Sequence, residues 1–330
     1  GVVNLNNIEL INVMIDLNSG LLQEKVKRGT TVLELISSLK LTPKYKIVAA
    51  KVNNRMAELT FPLTDDCRVD LIDLSDTDGN RIYQRSLSFV FIKAARDILG
   101  DCEVLIEHSL SKGIYCEIKY QSNIDEKDIS AIKQRMQEII DEDIPFKKEQ
   151  ISIEEAMRIF KEQGMESQVK ILKFAQKDYV NIYSCGQLKN YFYGYMVPST
   201  GYLNLFDLIP YKSGVILRFP QKEAPDRLPE YKEQKKLAMI FKESEDWGKL
   251  LGLAYVSDLN EKIETETYED IIRIAEALHE KKIAAIADKI NKENKRLILI
   301  AGPSSSGKTT FAQRLAVQMR VNGLDPIAFS

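Results

Sequence analysis

Alternating and helical hydrophobic patterns divide residues 8–74 into short strands around one helix. Strands are predicted in "IELINVMIDL", in "SGLLQEKV" after a turn, in "YKIVAAKVNN", in "RMAELT" and in "CRVDLIDLS". Asn53 and Asn54 form the predicted turn before "RMAELT". Thr30 or Thr31 is placed to cap a helix. The residues predicted on its buried face are Val32, Leu35, Ile36 and Leu39. This order indicates a small β-grasp-like fold.

The pattern then changes to a second unit of helices and strand pairs, up to residue 220. "SDTDGNR" predicts a turn-rich linker, and a helix follows over residues 86–99. "EVLIEHS" and "GIYCEIKY" predict two strands joined by "LSKG". Asp125 is placed to cap a helix that runs to Asp141, and "SIEEAMRIFKEQG" predicts another that ends at Gly164. Residues 179–220, rich in Tyr, Phe, Gly and Pro, predict short strands and tight loops.

The last part of the chain is helical until it reaches one glycine-rich loop. After the charged connector "QKEAPDRLPEYKEQKK", helices are predicted over residues 237–250 and 268–290. The apolar run 297–301 predicts a buried strand, and residues 310–321 have apolar positions at helical spacing. The order strand, glycine-rich loop, helix is typical of a phosphate-binding loop.

This loop is the clearest chemical motif in the sequence. Residues 302–309, "GPSSSGKT", fit G-x-x-x-x-G-K-[ST] at every fixed position. Glycines let the backbone approach phosphate oxygens, the lysine reaches the β- and γ-phosphates, and the Thr309 hydroxyl coordinates Mg²⁺. The simpler alternative is a Ser/Gly-rich turn before an ordinary helix. We predict ATP and Mg²⁺ as cofactors. The predicted nucleotide-binding residues are Gly302, Ser304, Ser305, Ser306, Gly307, Lys308, Thr309 and Thr310.

Composition excludes several classes of function. The 330 residues are 44% hydrophobic and 28% charged, which indicates a soluble globular chain of two or three domains. The formal net charge of -2 gives no overall basic field for nucleic acid or membrane. No apolar run reaches membrane-spanning length, and no secretory signal is visible. We predict a cytoplasmic protein with reduced cysteines, because none has C-x-x-C spacing. The cysteines are Cys67, Cys102, Cys116 and Cys185.

The order of these pieces resembles a known family. Residues 1–76 resemble a TGS domain, the β-grasp module of threonyl-tRNA synthetase, and residues 77–220 resemble that enzyme's editing-type second additional domain. Residues 221–295 read as a helical connector, and residues 296–330 look like the start of a uridine kinase/phosphoribulokinase domain. The combination is similar to bacterial nucleoside kinases that carry a synthetase-like N-terminal region. Besides the loop, the match rests on "EHSLSKGIYCEI", "CGQLKNYFYGYMVPSTGYLNLFDLIPY", "DWGKLLGLAYVSDLN" and "EALHEKKIAAIADKI".

This resemblance implies a multidomain α+β protein that ends within a P-loop α/β domain. It also implies phosphoryl transfer from ATP to a nucleoside such as uridine or cytidine, with regulatory or ligand-recruiting N-terminal domains. In that family an acidic pair follows the next strand, so the catalytic residues are expected beyond Ser330. The chain is then a fragment that we expect to be inactive alone. The expected partners are ATP and a nucleoside, with RNA less favoured and no membrane.

The resembled editing domain uses H-x-x-x-H on a helix with a later cysteine and histidine. Here the matching helix, "RIYQRSLSFVFIKAA", holds no histidine. Cys185 matches the family cysteine, and the position four residues later is Lys189. We therefore expect neither a zinc site nor tRNA editing. His108, Lys112 and Cys185 form a candidate second pocket. The simpler interpretation is a buried Cys185 and a hydrogen-bonding His108 at a strand end.

Two further interpretations stay open. In one, the synthetase-like half is a binding module for RNA, an amino acid or a nucleotide, and the loop is a sensor. In the other, the chain is part of a P-loop NTPase that hydrolyses its nucleotide. An aromatic run is able to stack on bases, but few basic residues lie within it, so packing is the favoured interpretation. The run consists of Tyr191, Phe192, Tyr193, Tyr195 and Tyr202.

Overall fold

The computed structural model describes residues 9–17 and 20–329, and the strands within them form three sheets. Contacts divide the chain into two units, one ending at Ile240 and the other beginning at Phe241. All three sheets lie in the first unit, and the regular elements described in the second are helices. The prediction of a mixed α+β fold with several sheets is therefore confirmed. No helix in the described ranges is long and apolar enough to cross a membrane.

The first sheet has the strand order β2-β1-β5-β3-β4, with β1 and β5 parallel. Its strands are β1 (Leu10–Leu17), β2 (Gly20–Lys27), β3 (Ile47–Val52), β4 (Arg55–Glu58) and β5 (Cys67–Asp73). Helix α1 (Val32–Ser38) begins at Thr31, whose side chain caps it, and Glu34 completes a capping box. Asn53 and Asn54 both have positive φ, as a two-residue hairpin turn requires. The predicted turn at residues 18–19 lies outside the described residues.

Two more sheets follow, with the orders β11-β12-β7-β6 and β10-β9-β8. Their strands are β6 (Glu103–Leu110), β7 (Gly113–Lys119), β8 (Phe146–Ser152), β9 (Tyr179–Cys185), β10 (Leu188–Tyr191), β11 (Asp207–Tyr211) and β12 (Gly214–Arg218). The helices beside them are α2 (Thr77–Leu99), α3 (Glu126–Asp141), α4 (Ile153–Glu162) and α5 (Glu166–Leu172). Asp125 caps α3 as predicted, and the apolar face of α3 packs into one core with α2. Helix α5 was not predicted.

The predicted linker over residues 75–81 is instead the start of α2. The Asp76 side chain accepts a hydrogen bond from Asp78 N at 2.7 Å and caps the helix. Gly79 is typical of a turn in the sequence, but in the fold it lies in the first turn of α2 and allows a close contact. A Cβ on Gly79 would lie 2.0 Å from Asp73 O, so the missing side chain lets the helix pack against the end of β5.

The second unit contains most of α6 (Lys235–Leu250), then α7 (Val256–Glu264), α8 (Tyr268–Lys292) and α9 (Lys308–Val321). Buried residues of α8 and α9 pack together in a small core. The predicted strand at 297–301 is not formed, and residues 324–329 form no strand either. Leu297 and Leu299 are 77% and 83% exposed. A strand needs a neighbour for its N–H and C=O groups, and no described segment pairs with this one.

Candidate functional site

The face of α2 that was compared with an editing motif is packed rather than open. Val197 N donates a hydrogen bond to Ser86 Oγ at 3.0 Å, and that hydroxyl donates to Ile82 O at 2.8 Å. The rings of Phe89 and Phe192 lie 4.9 Å apart. Among the described residues, no group of three or more His, Cys, Asp or Glu side chains is arranged to hold a metal ion. This face of α2 is therefore occupied by a hydrogen-bonded hydroxyl and by packed aromatic rings.

Cys185 is fully buried at the end of β9, paired with Phe146 on one side and Leu188 on the other. Burial raises the pKa of the Cys185 thiol to about 11, and the charge of Lys93 opposes this only in part. The thiol is therefore protonated near neutral pH. A protonated, buried thiol is a poor nucleophile and a poor metal ligand.

Lys189, four residues after Cys185, is engaged at the surface of the same sheet. Its ammonium lies 2.8 Å from a carboxylate oxygen of Glu149 on β8. Its backbone N–H donates to the Gln163 side chain at 3.0 Å. These contacts join β10 to β8 and to the residue that follows α4, so Lys189 stabilises the fold here.

The structure does not bring the three residues of the candidate second pocket together. His108 lies on β6 with its ring 5.5 Å from that of Tyr115, and Lys112 lies in the hairpin turn that follows. Tyr115 packs in a cluster with Leu110 and Ile216. Its neighbour Cys116 faces the larger core that contains Cys185. Because successive strand residues point to opposite faces, the four-stranded sheet separates Tyr115 and its partners from Cys185.

The glycine-rich loop forms the start of α9 in the second unit. Gly307 has a φ of +79° and precedes the first helical residue, Lys308, whose ammonium donates to Pro303 O at 2.6 Å across the loop. A Cβ on Gly302 would lie 2.8 Å from Ser306 Oγ. The other predicted nucleotide-binding residues, Ser304, Ser305, Ser306, Thr309 and Thr310, are exposed. Gly307 therefore has the left-handed conformation that glycine adopts most readily, and the residues of the loop face solvent.

A cationic and aromatic surface adjoins α2, which sequence reasoning missed. Arg85 donates to Tyr195 O at 2.8 Å, and its guanidinium lies under Gly194. The Lys148 ammonium lies 5.1 Å from the centre of the Tyr195 ring. Tyr193, the residue before Gly194 in the chain, is 88% exposed. The aromatic run was visible in the sequence, but the cations beside it, Arg85 on α2 and Lys148 on β8, come from distant parts of the chain.

The chain is homologous to threonine–tRNA ligases over more than half of its length. It is 30% identical over 182 residues to the threonine–tRNA ligase of Desulforamulus reducens, which covers 55% of this chain and 29% of that protein. It is 26% identical over 198 residues to threonine–tRNA ligase 2 of Bacillus subtilis, covering 60% of this chain and 31% of that protein. No protein-family model matches the chain. The chain thus spans less than a third of the length of these curated relatives.

These comparisons correct the nucleoside-kinase interpretation. A third relative, from Thermotoga neapolitana, is 27% identical over 190 residues, covers 57% of this chain and 29% of its own length, and is again a threonine–tRNA ligase. These relatives are named as ligases of threonine and tRNA, not as kinases. The predicted transfer of phosphate to uridine or cytidine is therefore wrong, and the nucleoside partner has no support. The glycine-rich loop does not identify a kinase, because its motif is shared by many unrelated proteins.

Proposed function

We propose that this chain is a tRNA-binding module related to threonyl-tRNA synthetase and that it does not hydrolyse aminoacyl-tRNA. The observation that carries this proposal is the similarity to threonine–tRNA ligases over 55% of the chain. Sequence composition disfavoured RNA because the net charge is -2, but a local cationic surface is sufficient for binding. Binding to tRNA, together with four buried free cysteines, is in keeping with a cytoplasmic location.

The finer division of the chain belongs to this proposal. In it, residues 1–76 are a TGS-like β-grasp domain and residues 77–220 are a synthetase-editing-like domain. The strand order β2-β1-β5-β3-β4 around α1 supports the first part. Residues 221–295 and 296–330 are then the connector and the loop-bearing segment.

The chemistry around α2 supports the proposed lack of hydrolysis. Ester hydrolysis needs an activated nucleophile beside a base or a metal ion. With a pKa of about 11, the Cys185 thiol is ionised at neutral pH in only about one molecule in ten thousand. Ser86, a polar residue on this face, is buried and already hydrogen-bonded.

A binding titration with labelled tRNA tests the first half of the proposal, and release of amino acid from aminoacyl-tRNA tests the second. Saturable binding without acceleration of ester cleavage is the expected result. Cleavage that is faster with the chain than with its Cys185→Ala variant would contradict the proposal.

We propose nucleotide binding as a second function, at the glycine-rich loop. The motif at the start of a 14-residue helix favours it. Backbone N–H groups of residues 304–307 and the Lys308 ammonium would hold the phosphates of ATP, with Thr310 in the first helical turn. The Thr309 hydroxyl would hold Mg²⁺, which neutralises phosphate charge. Titration of Mg-ATP into the chain and its Lys308→Ala variant tests this.

A further inference from the structure

Residues 297–301 form an apolar segment whose backbone has no partner in the described part of the chain. None of its N–H or C=O groups makes a hydrogen bond to another backbone group there. Its side chains nevertheless alternate as in a strand, because Ile298 is partly buried against the core of α8 and α9, while Leu297 and Leu299 face solvent. The segment therefore has one packed face, one exposed face and, among the described residues, no backbone pairing.

The edges of the three sheets, in contrast, carry features that hinder pairing with another chain. The edge strands β2 and β8 each carry two lysines, and the edge strand β6 has an irregular register. The edge strand β11 contains a proline, and β4 and β10 are only four residues long. Residues 297–301, with the sequence LILIA, contain no charge, proline or glycine. This segment lacks the protection that the sheet edges have, so we expect it to pair.

The segment is complementary to a second copy of itself. In an antiparallel pair centred on Leu299, the two Leu299 side chains are direct cross-strand neighbours. Ile298 of each copy then lies opposite Ile300 of the other, and directly opposed residues share a face of the pair. The isoleucines therefore extend the face that packs on the helices, and the two leucines cover each other on the exposed face.

The charges beside the segment favour the antiparallel direction. Lys295 and Arg296 precede the segment, whereas Gly302 and Pro303 follow it. A parallel pair in register would place the two Arg296 Cβ atoms about 5 Å apart, and like charges so close are destabilising. The antiparallel pair places Arg296 opposite Gly302 and separates the two arginines by about 20 Å along the strands. It also has two-fold symmetry, which closes a dimer.

We propose that residues 297–301 pair with the same segment of a second copy of this chain and form a dimer through an antiparallel two-stranded contact. This inference does not depend on the tRNA or nucleotide binding proposed above. The pair gives each segment the neighbour that a strand needs. Only a few residues of each copy are buried in the contact, and small interfaces of this kind are weak. We therefore expect a dissociation constant between about 10 µM and about 1 mM.

Sedimentation equilibrium of the full chain over that concentration range measures the association. Leu299→Lys and Leu299→Glu each place two like charges opposite one another, so each should weaken the dimer at least about tenfold. An equimolar mixture of the two variants should associate about 5- to 30-fold more tightly than either alone, because lysine then faces glutamate. The control Leu250→Lys changes an exposed leucine of α6 and should associate like the parent.

A nitroxide label on Arg296→Cys measures the direction of the pair. The four native cysteines are buried, so the label reacts at the introduced thiol. Spins about 20 Å or more apart are expected for the antiparallel pair. Strong spin–spin broadening at high protein concentration would indicate a parallel pair and contradict the proposal.

Three further outcomes would overturn the dimer. The first is a parent chain that stays monomeric up to about 1 mM. The second is a dimer that both Leu299 variants keep at the parent's affinity, because the contact then lies elsewhere. The third is a mixture that associates no more tightly than the single variants. Circular dichroism of each variant shows whether the fold is retained, as we expect for changes at an exposed residue.

Discussion

The hydroxyl of Tyr183, on β9, lies 2.5 Å from a carboxylate oxygen of Glu58, on β4 of a different sheet. Met196 N donates to the same oxygen at 3.1 Å. Burial, and then the Glu58 carboxylate, raises the pKa of Tyr183, so the hydroxyl keeps its proton and remains a donor. This contact joins the five-stranded sheet to the three-stranded sheet within the first unit.

Loss of that hydrogen bond should destabilise the first unit. Tyr183→Phe leaves the partly buried Glu58 carboxylate without one donor, at an expected cost of about 1–3 kcal/mol in the free energy of unfolding. Urea unfolding followed by circular dichroism measures it. Tyr179→Phe, at an exposed tyrosine of the same strand, is the control and should change stability by less than about 0.5 kcal/mol. Equal stability of both variants would show that the Glu58 contact is unimportant.

Replacing Gly79 by alanine should destabilise the fold although the residue lies in a helix. Glycine to alanine in a helix interior usually gains about 1 kcal/mol. Here the new Cβ would lie 2.0 Å from Asp73 O, so we expect a loss of about 1–3 kcal/mol. Gly248→Ala is the comparison, because a Cβ on Gly248 would lie 3.2 Å from its nearest neighbour, Leu253 O. A Gly79→Ala protein that melts above the parent would contradict the packing described at the start of α2.

The Cys185 thiol makes stability sensitive to alkaline pH. Its folded pKa, about 11, is above the ordinary value of 9.0, so the stabilisation is complete below pH 9 and is lost as pH rises towards 11. The loss expected from this group is about 3 kcal/mol. Denaturant unfolding of the parent and Cys185→Ala across this range measures it. The difference between the two proteins should shrink as pH rises, and a constant difference would show that the thiol is not the titrating group.

Lys308→Ala should abolish binding of Mg-ATP by the chain, because the ammonium is the side-chain cation within the loop. Isothermal titration calorimetry of both proteins, with GTP as a second ligand, measures it. Thr309→Ala should weaken the binding of Mg-ATP more than the binding of ATP measured with a metal chelator present, because the substitution removes only the contact to the metal. Equal affinity of the parent and Lys308→Ala for Mg-ATP would mean that the loop is an ordinary helix start.

The regular elements were largely predictable because their signals are local. Asp125 carries a capping pattern that fixes α3, and Asn53 with Asn54 carries a turn pattern that fixes a hairpin. The prediction of a linker at residues 75–81 was wrong because Gly79 allows a close tertiary contact with Asp73. In the sequence alone, such a glycine cannot be distinguished from a glycine that forms a turn. Residues 297–301 read as a strand from their composition, but strand formation depends on a neighbouring segment.

The candidate surface beside α2 was less predictable, because its residues meet only in the fold. Arg85 and Lys148 join Tyr195 from α2 and β8, and nothing in the local sequence links them. The glycine-rich loop has the opposite property, since all its residues are consecutive. That is why the loop dominated the sequence interpretation and led to a kinase assignment.

Competition for labelled tRNA tests the central claim most directly. A complex of the chain with labelled tRNA is titrated with unlabelled tRNA and, separately, with duplex DNA of the same number of phosphates at constant salt. We predict that tRNA displaces the label at a concentration at least about tenfold lower than DNA does, because recognition includes more than phosphate charge. Equal displacement by the two polyanions, or no complex to displace, would contradict a tRNA-binding module.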